Sequence, residues 1–148
     1  MNRFLVCVVL SLLAVSVHAT SFTDCGSKTG QVTSVSVTGC PDGQSVCNLK
    51  RGTEAGITIV FGSKSDSSSL KAVVHGVISG VPLPFHLPQS DACKGGVSCP
   101  LKNGQSYTYS NSLNIRNSYP AVSVTVRWQL KDSNSNDVVC LAIASKIV

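Results

Sequence analysis

Apolar and polar residues alternate with a period of two along most of the chain, and a helical period is nearly absent. The clearest run places Val122, Val124, Val126, Trp128 and Leu130 on one face and Ser123, Thr125, Arg127 and Gln129 on the other. Successive strand side chains point to opposite faces, so this run predicts a strand with one buried and one wet side. Val35 and Val37 alternate in the same way with Ser34, Ser36 and Thr38. Weaker patterns predict strands over residues 57–61, 70–78, 107–115 and 138–148. Turn-forming residues fill the stretches between them, notably Pro41-Asp42-Gly43, Lys102-Asn103-Gly104 and residues 63–69 and 132–137. Six or more strands without helices predict an all-β chain, a β-sandwich of immunoglobulin-like size.

One segment breaks the alternation. In Val81-Pro82-Leu83-Pro84-Phe85-His86-Leu87-Pro88 the prolines lack the N–H that a central strand needs. The segment is therefore an extended loop or a sheet edge. A rigid apolar segment of this kind suits the rim of a pocket, with Phe85 as its largest side chain. Tyr119, before Pro120, combines an apolar ring with a hydroxyl that prefers water, which also suits a rim.

The first residues belong to a different class. Asn2-Arg3 gives a basic start, Phe4 to Val17 is almost wholly apolar, and Val17-His18-Ala19 has the small or apolar pattern of a cleavage site. That stretch of 14 residues falls short of the roughly 20 that span a bilayer, so residues 1–19 read as an export signal. Residues 20–148 then form a single domain, secreted or delivered to a lysosomal or endosomal lumen. Signal removal takes Cys7 with it and leaves six cysteines: Cys25, Cys40, Cys47, Cys93, Cys99 and Cys140. An even number in an exported domain reads as three disulfides, whose connectivity spacing alone leaves open. No metal-binding spacing such as C-x-x-C occurs, so no metal or other cofactor is expected.

Charge and motifs narrow the function. Charged residues are 13% of the chain and the net charge is +5, too sparse for a dedicated nucleic-acid binder. There is no G-x-S-x-G elbow, no H-E-x-x-H pair and no phosphate-cradling glycine loop, and paired cysteines leave no free thiolate. The chain is not expected to be an enzyme.

Several motifs together carry a family resemblance. They are Asp24-Cys25-Gly26-Ser27, Ala72-Val73-Val74-His75-Gly76-Val77 followed by Gly80-Val81-Pro82-Leu83-Pro84-Phe85, Cys93 with Cys99-Pro100, Tyr119-Pro120, and Trp128-Gln129-Leu130 leading to Cys140. In this order and spacing the mature chain resembles the ML (MD-2-related lipid-recognition) family. The resemblance implies an immunoglobulin-like sandwich of two antiparallel sheets, disulfides Cys25–Cys140, Cys40–Cys47 and Cys93–Cys99, and an apolar lipid cavity between the sheets. It implies a pocket entrance at Phe85, Ile115 and Tyr119, and an interior lined by Val74, Val124, Val126 and Trp128. Asp91 and Lys94 occupy positions tied to lipid transfer, by contact with a membrane or a partner. The implied ligand is a sterol, handed to membranes or to a sterol-accepting membrane transporter by a monomeric carrier. Fatty acids or semiochemicals, and bacterial lipopolysaccharide, are the alternative cargoes.

Overall fold

The computed structural model describes residues 19–40 and 43–148. The export signal, except for Ala19, lies outside the described residues, as do Pro41 and Asp42 of the first turn.

Among the described residues nine strands form in chain order: β1 (Thr23–Asp24), β2 (Gly30–Val37), β3 (Cys47–Leu49), β4 (Thr53–Ser63), β5 (Leu70–Ile78), β6 (Val81–Phe85), β7 (Ser106–Ile115), β8 (Ser123–Asp132) and β9 (Asp137–Ile147). They make two sheets. The larger runs β1-β9-β8-β5-β6 with β3 also on β9, and the smaller runs β2-β4-β7. Every pairing is antiparallel except that of β3, which joins β9 in parallel over three residues, Cys47 opposite Ser145 to Leu49 opposite Ile147. Alternation reports which face a residue occupies and not which strand lies beside it, so this short parallel pairing leaves no mark on the pattern.

The inward faces are those the alternation selects. On β8, Val124, Val126, Trp128 and Leu130 are all buried, while the intervening Thr125, Arg127, Gln129 and Lys131 are half-buried on the outer face. Ile57, Ile59 and Phe61 of β4 and Tyr109, Leu113 and Ile115 of β7 answer them from the smaller sheet. Each such side chain contributes roughly 1.5–3 kcal/mol of burial, so the interleaved apolar rows are what hold the sheets face to face.

The sheets come close together where β2 and β9 begin. A Cβ on Gly30 would lie 2.5 Å from the Val138 carbonyl oxygen, so only glycine lets β2 run this close to β9. A bulge at Leu130/Lys131 precedes Asp132, whose buried carboxylate accepts from the Asn134 and Asn136 amides at 2.9 Å and from the Thr29 hydroxyl at 3.1 Å. The last of these bonds joins the segment before β2 to β8. Three disulfides, Cys25–Cys140, Cys40–Cys47 and Cys93–Cys99, complete the frame.

Candidate functional site

The proline segment forms β6, an edge strand on β5. A two-residue turn with positive φ at Ser79 (49°) and Gly80 (79°) reverses the chain, the geometry favoured in tight hairpins. From that turn, Val81, Leu83 and Phe85 aim their N–H groups at β5, and positions 82 and 84 face the open side. Prolines at those two positions leave the free edge without donors, so no further strand can add to it.

Phe85 closes β6 opposite Val74. Its ring lies over Gly76, where a Cβ would stand 2.6 Å from Phe85 Cε2 and 3.2 Å from Val124 Cγ2. The ring also meets Tyr119 edge-on, with centroids 5.6 Å apart and planes at 86°. Tyr119 is held by the turn in which its amide donates to the Arg116 carbonyl at 3.1 Å. Both rings are half-buried, so the pair is a surface feature rooted in the core.

Beside this pair lies an apolar recess of about 220 Å³, lined by Gly76, Ile78, Leu83, Phe85, Tyr119, Pro120, Val124 and Ile147. Deeper between the sheets is a narrow void of about 20 Å³ bounded by Val37, Leu49, Ile57, Leu113, Val126, Trp128 and Ile143. The inward row of β8 connects the two. Val124 lines the recess, and Val126 and Trp128 line the void. Four residues of strand cover about 13 Å, which is the depth of this apolar track.

The remaining residues singled out in the sequence fall in different places. Val74 is buried between Phe85 and Trp128 by register, at the base of the aromatic pair. Ile115 does not share the surface with Phe85 and Tyr119. It is fully buried at the end of β7, and its carbonyl accepts from the Gly52 amide at 2.6 Å. Asp91 and Lys94 line neither space; they flank a 3₁₀ turn over Ala92–Lys94 that leads into the Cys93–Cys99 loop. Asp91 caps that turn by accepting from the Cys93 amide at 3.0 Å, and Lys94 is exposed.

A second recess of about 210 Å³ opens on the other side of the aromatic pair, and it is polar. Phe85 and Tyr119 form its wall, Leu113 its contact with the inner void, and Glu54, His86, Gln89, Asn111, Asn114 and Arg116 bring polar groups to it. Asn111 donates from Nδ2 to the Tyr109 hydroxyl at 2.9 Å and to the Gln89 carbonyl at 3.1 Å. Burial raises the pKa of Tyr109, and the Asn111 amide that donates to its hydroxyl opposes this in part, so the phenol stays neutral. The Nε1 of Trp128 has no hydrogen-bond partner in this otherwise apolar interior. This recess escaped sequence reasoning, although one signal was there: Asn111 interrupts the inward row Tyr109, Leu113, Ile115.

Val81 and Leu83 lie beside the apolar recess with about half of their surface in water, 56% and 49% exposed. Among the described residues there is no cluster of metal-ligating side chains, and no helix is long and apolar enough to cross a membrane.

Comparison with known proteins places this geometry. The ML domain family matches residues 19–147. The NPC intracellular cholesterol transporter 2 homolog a of Drosophila melanogaster is 40% identical over 141 residues, covering 95% of each chain. NPC intracellular cholesterol transporter 2 of Bos taurus is 39% identical over 149 residues, covering 98% of each. The crystal structure of a Niemann-Pick type C2 protein from Japanese carpenter ant superposes with a TM-score of 0.82 at 27% identity, covering 86% of this chain and 99% of that one. With a family match over nearly its whole length, relatives at this identity and the same two-sheet frame, the chain belongs to the ML domain family.

Proposed function

We propose that this protein binds one sterol between its sheets and carries it from membrane to membrane. The observation that carries the reading is the apolar track along β8, from the recess at Phe85 and Tyr119 to the void at Trp128. It lies in a chain about 40% identical to proteins named cholesterol transporters. The void is far smaller than a sterol, so binding requires the sheets to part along this track. Side-chain packing rather than backbone pairing holds them there, which makes parting affordable in energy. Removing about 400 Å² of ligand surface from water would supply about 10 kcal/mol before the costs of ordering and opening.

Rigid rings enter with their apolar end first, and the sterol hydroxyl remains near Phe85 and Tyr119. Val74, Val124, Val126 and Trp128 line the bound ligand, and Ile115 supports the mouth from behind. The exposed Val81 and Leu83 touch the bilayer briefly during transfer. The cargo is moved and not converted, so the protein acts without catalysis or cofactor. Residues 1–19 direct export, the working form is a monomer, and the receiver is a membrane or a sterol-accepting membrane transporter. Asp91 and Lys94, which line neither apolar space, serve as contacts for that receiver.

The test is to secrete the protein from sterol-fed eukaryotic cells and record its native mass spectrum. A bound mass equal to one sterol per chain is the expected result. A fatty-acid or glycolipid mass would redirect the reading to the alternative cargoes, and a chain that stays empty even with added sterol would refute it.

A further inference from the structure

The polar recess beside Phe85 and Tyr119 has no part in holding an apolar sterol body, yet it shares both rings with the apolar recess and Leu113 with the void. A ligand whose body lies in the core therefore presents its polar end here. We propose that this recess is a headgroup subsite for a neutral, hydroxyl-rich group, of which one sugar joined to the sterol oxygen is the simplest case. The proposal rests on the sterol reading above and extends it to sterol glycosides.

The mixture of groups decides the chemistry. Glu54 offers only acceptors, Arg116 only donors, and His86 and Asn114 offer both. An anionic headgroup could use the donors alone and would meet the Glu54 carboxylate. A cationic one would meet the Arg116 guanidinium. A hydroxyl donates and accepts at once, so a ring bearing several hydroxyls can use every one of these groups. Glu54 and Arg116 are not within ion-pair distance of each other, since Lys131–Asp137 is the pair found among the described residues. Both therefore remain available to a ligand.

Size and shape agree. A recess of about 210 Å³ has the liquid volume of about seven waters at about 30 Å³ each. The lone hydroxyl of a free sterol would replace about one of them, whereas one sugar ring with its hydroxyls would replace most. The walls are set in advance. Asn111 is committed on both sides of its amide, with Nδ2 on Tyr109 and Gln89 and Oδ1 accepting from the Ser112 amide at 2.8 Å. The Phe85 and Tyr119 rings flank the recess with the apolar surface against which the C–H face of a sugar packs.

The chain has a single tryptophan, Trp128, on the void, so its fluorescence reports occupancy of the core directly. Delipidated secreted protein would be titrated with cholesterol, cholesteryl glucoside and cholesteryl sulfate. The glucoside is expected to bind about tenfold more tightly than cholesterol, the gain of about one net hydrogen bond. The double variant Glu54→Ala, Arg116→Ala should abolish that difference while holding cholesterol affinity within about twofold, a bound set by the ordinary scatter of surface substitutions. Equal or weaker binding of the glucoside, or equal losses for both ligands in the variant, would overturn the proposal and leave the sterol reading standing. Tightest binding of the sulfate, lost on Arg116→Ala alone, would overturn it in favour of an anion site. Failure of cholesterol itself to bind would overturn the sterol reading, and the proposal with it.

Discussion

The two ends of the sandwich are held by different forces. At the β8–β9 hairpin end, polar bonds cross between segments distant in sequence. Thr29 reaches Asp132, the Lys28 and Thr29 amides donate to the Asp137 carbonyl at 2.7 and 3.0 Å, Ser67 holds Ser133, and Asn103 donates to Asp66 at 2.8 Å. Cys25–Cys140 ties the start of the domain to its last strand there. At the Phe85–Tyr119 end the recess itself is bounded by apolar rings, a donor-free proline edge and an inner void, and the bonds between the sheets come from one turn, whose Arg51 amide donates to the Val148 carbonyl at 3.0 Å and whose Gly52 amide donates to the Ile115 carbonyl at 2.6 Å. Hydrogen bonds are directional and leave unsatisfied groups when broken, whereas apolar contacts slide and re-form at low cost. The side of the sandwich at the aromatic pair is thus held more by packing than the hairpin end is, and it is the side along which the proposed opening would occur.

The largest test of this asymmetry is disulfide removal. Replacing Cys25 and Cys140 by Ala opens a link of sequence separation 115. It should cost about 5 kcal/mol in chemical denaturation, against about 2 for Cys40 and Cys47, because loop-closure entropy grows with loop length. A loss for Cys25 and Cys140 no larger than that for Cys40 and Cys47 would show that the long link adds nothing to the hairpin end beyond its local contacts. Next in size is Gly76→Ala. The new methyl needs the place of the Phe85 ring, and such overpacking typically costs about 1–3 kcal/mol. Because the displaced ring guards the recess, sterol dissociation measured by stopped flow should also quicken. An unchanged dissociation rate would show that Phe85 does not guard the opening. Phe85→Ala should cost about 1–2 kcal/mol, less than a core phenylalanine because the ring is half-buried. Sterol affinity should fall about tenfold with it, as expected when one aromatic contact is lost. A large loss of stability with binding intact would make Phe85 a core residue only.

Much of the frame was legible in the sequence because faces are a local property. The alternation at Val124, Val126 and Trp128 names the inward row of β8, and Pro82 with Pro84 names an edge, since each depends on residues a few positions apart. Neighbourhood is not local. Ile115 carries the same apolar signal as Phe85, yet it lies in the core, on the buried face of β7 with Tyr109 and Leu113. The resemblance that put Ile115 at the entrance fixed its position in the chain and left its exposure to the packing. The polar recess draws on Glu54, on residues 86–89, on residues 111–116 and on Tyr119. No window of the sequence contains such a site, because sheet order alone brings those segments together.

The smallest effect concerns acid, and it asks whether the clamped end holds in an acidic lumen. Asp24 lies beside Cys25. Burial tends to raise its pKa, but bonds to its carboxylate from the Ser27 amide, the Gly26 amide and the Ser27 hydroxyl outweigh this, so the value falls below its ordinary 3.8. A carboxylate whose folded pKa is depressed stabilises the fold at pH values above the unfolded pKa. That contribution is lost only as pH falls through the lower, folded value. It is therefore present at pH 7 and at pH 5 alike, and fades below about pH 4. Asp24→Asn keeps one acceptor oxygen and removes the charge, so at this exposed position it should cost only a few tenths of a kcal/mol after solvent screening. The cost should be the same at pH 7 and pH 5 and should vanish near pH 2, as read from denaturation midpoints across that range. A cost that grew on acidification would mean that Asp24 is held protonated, and that the hairpin end loosens in acid instead of the ring-lined end opening to ligand.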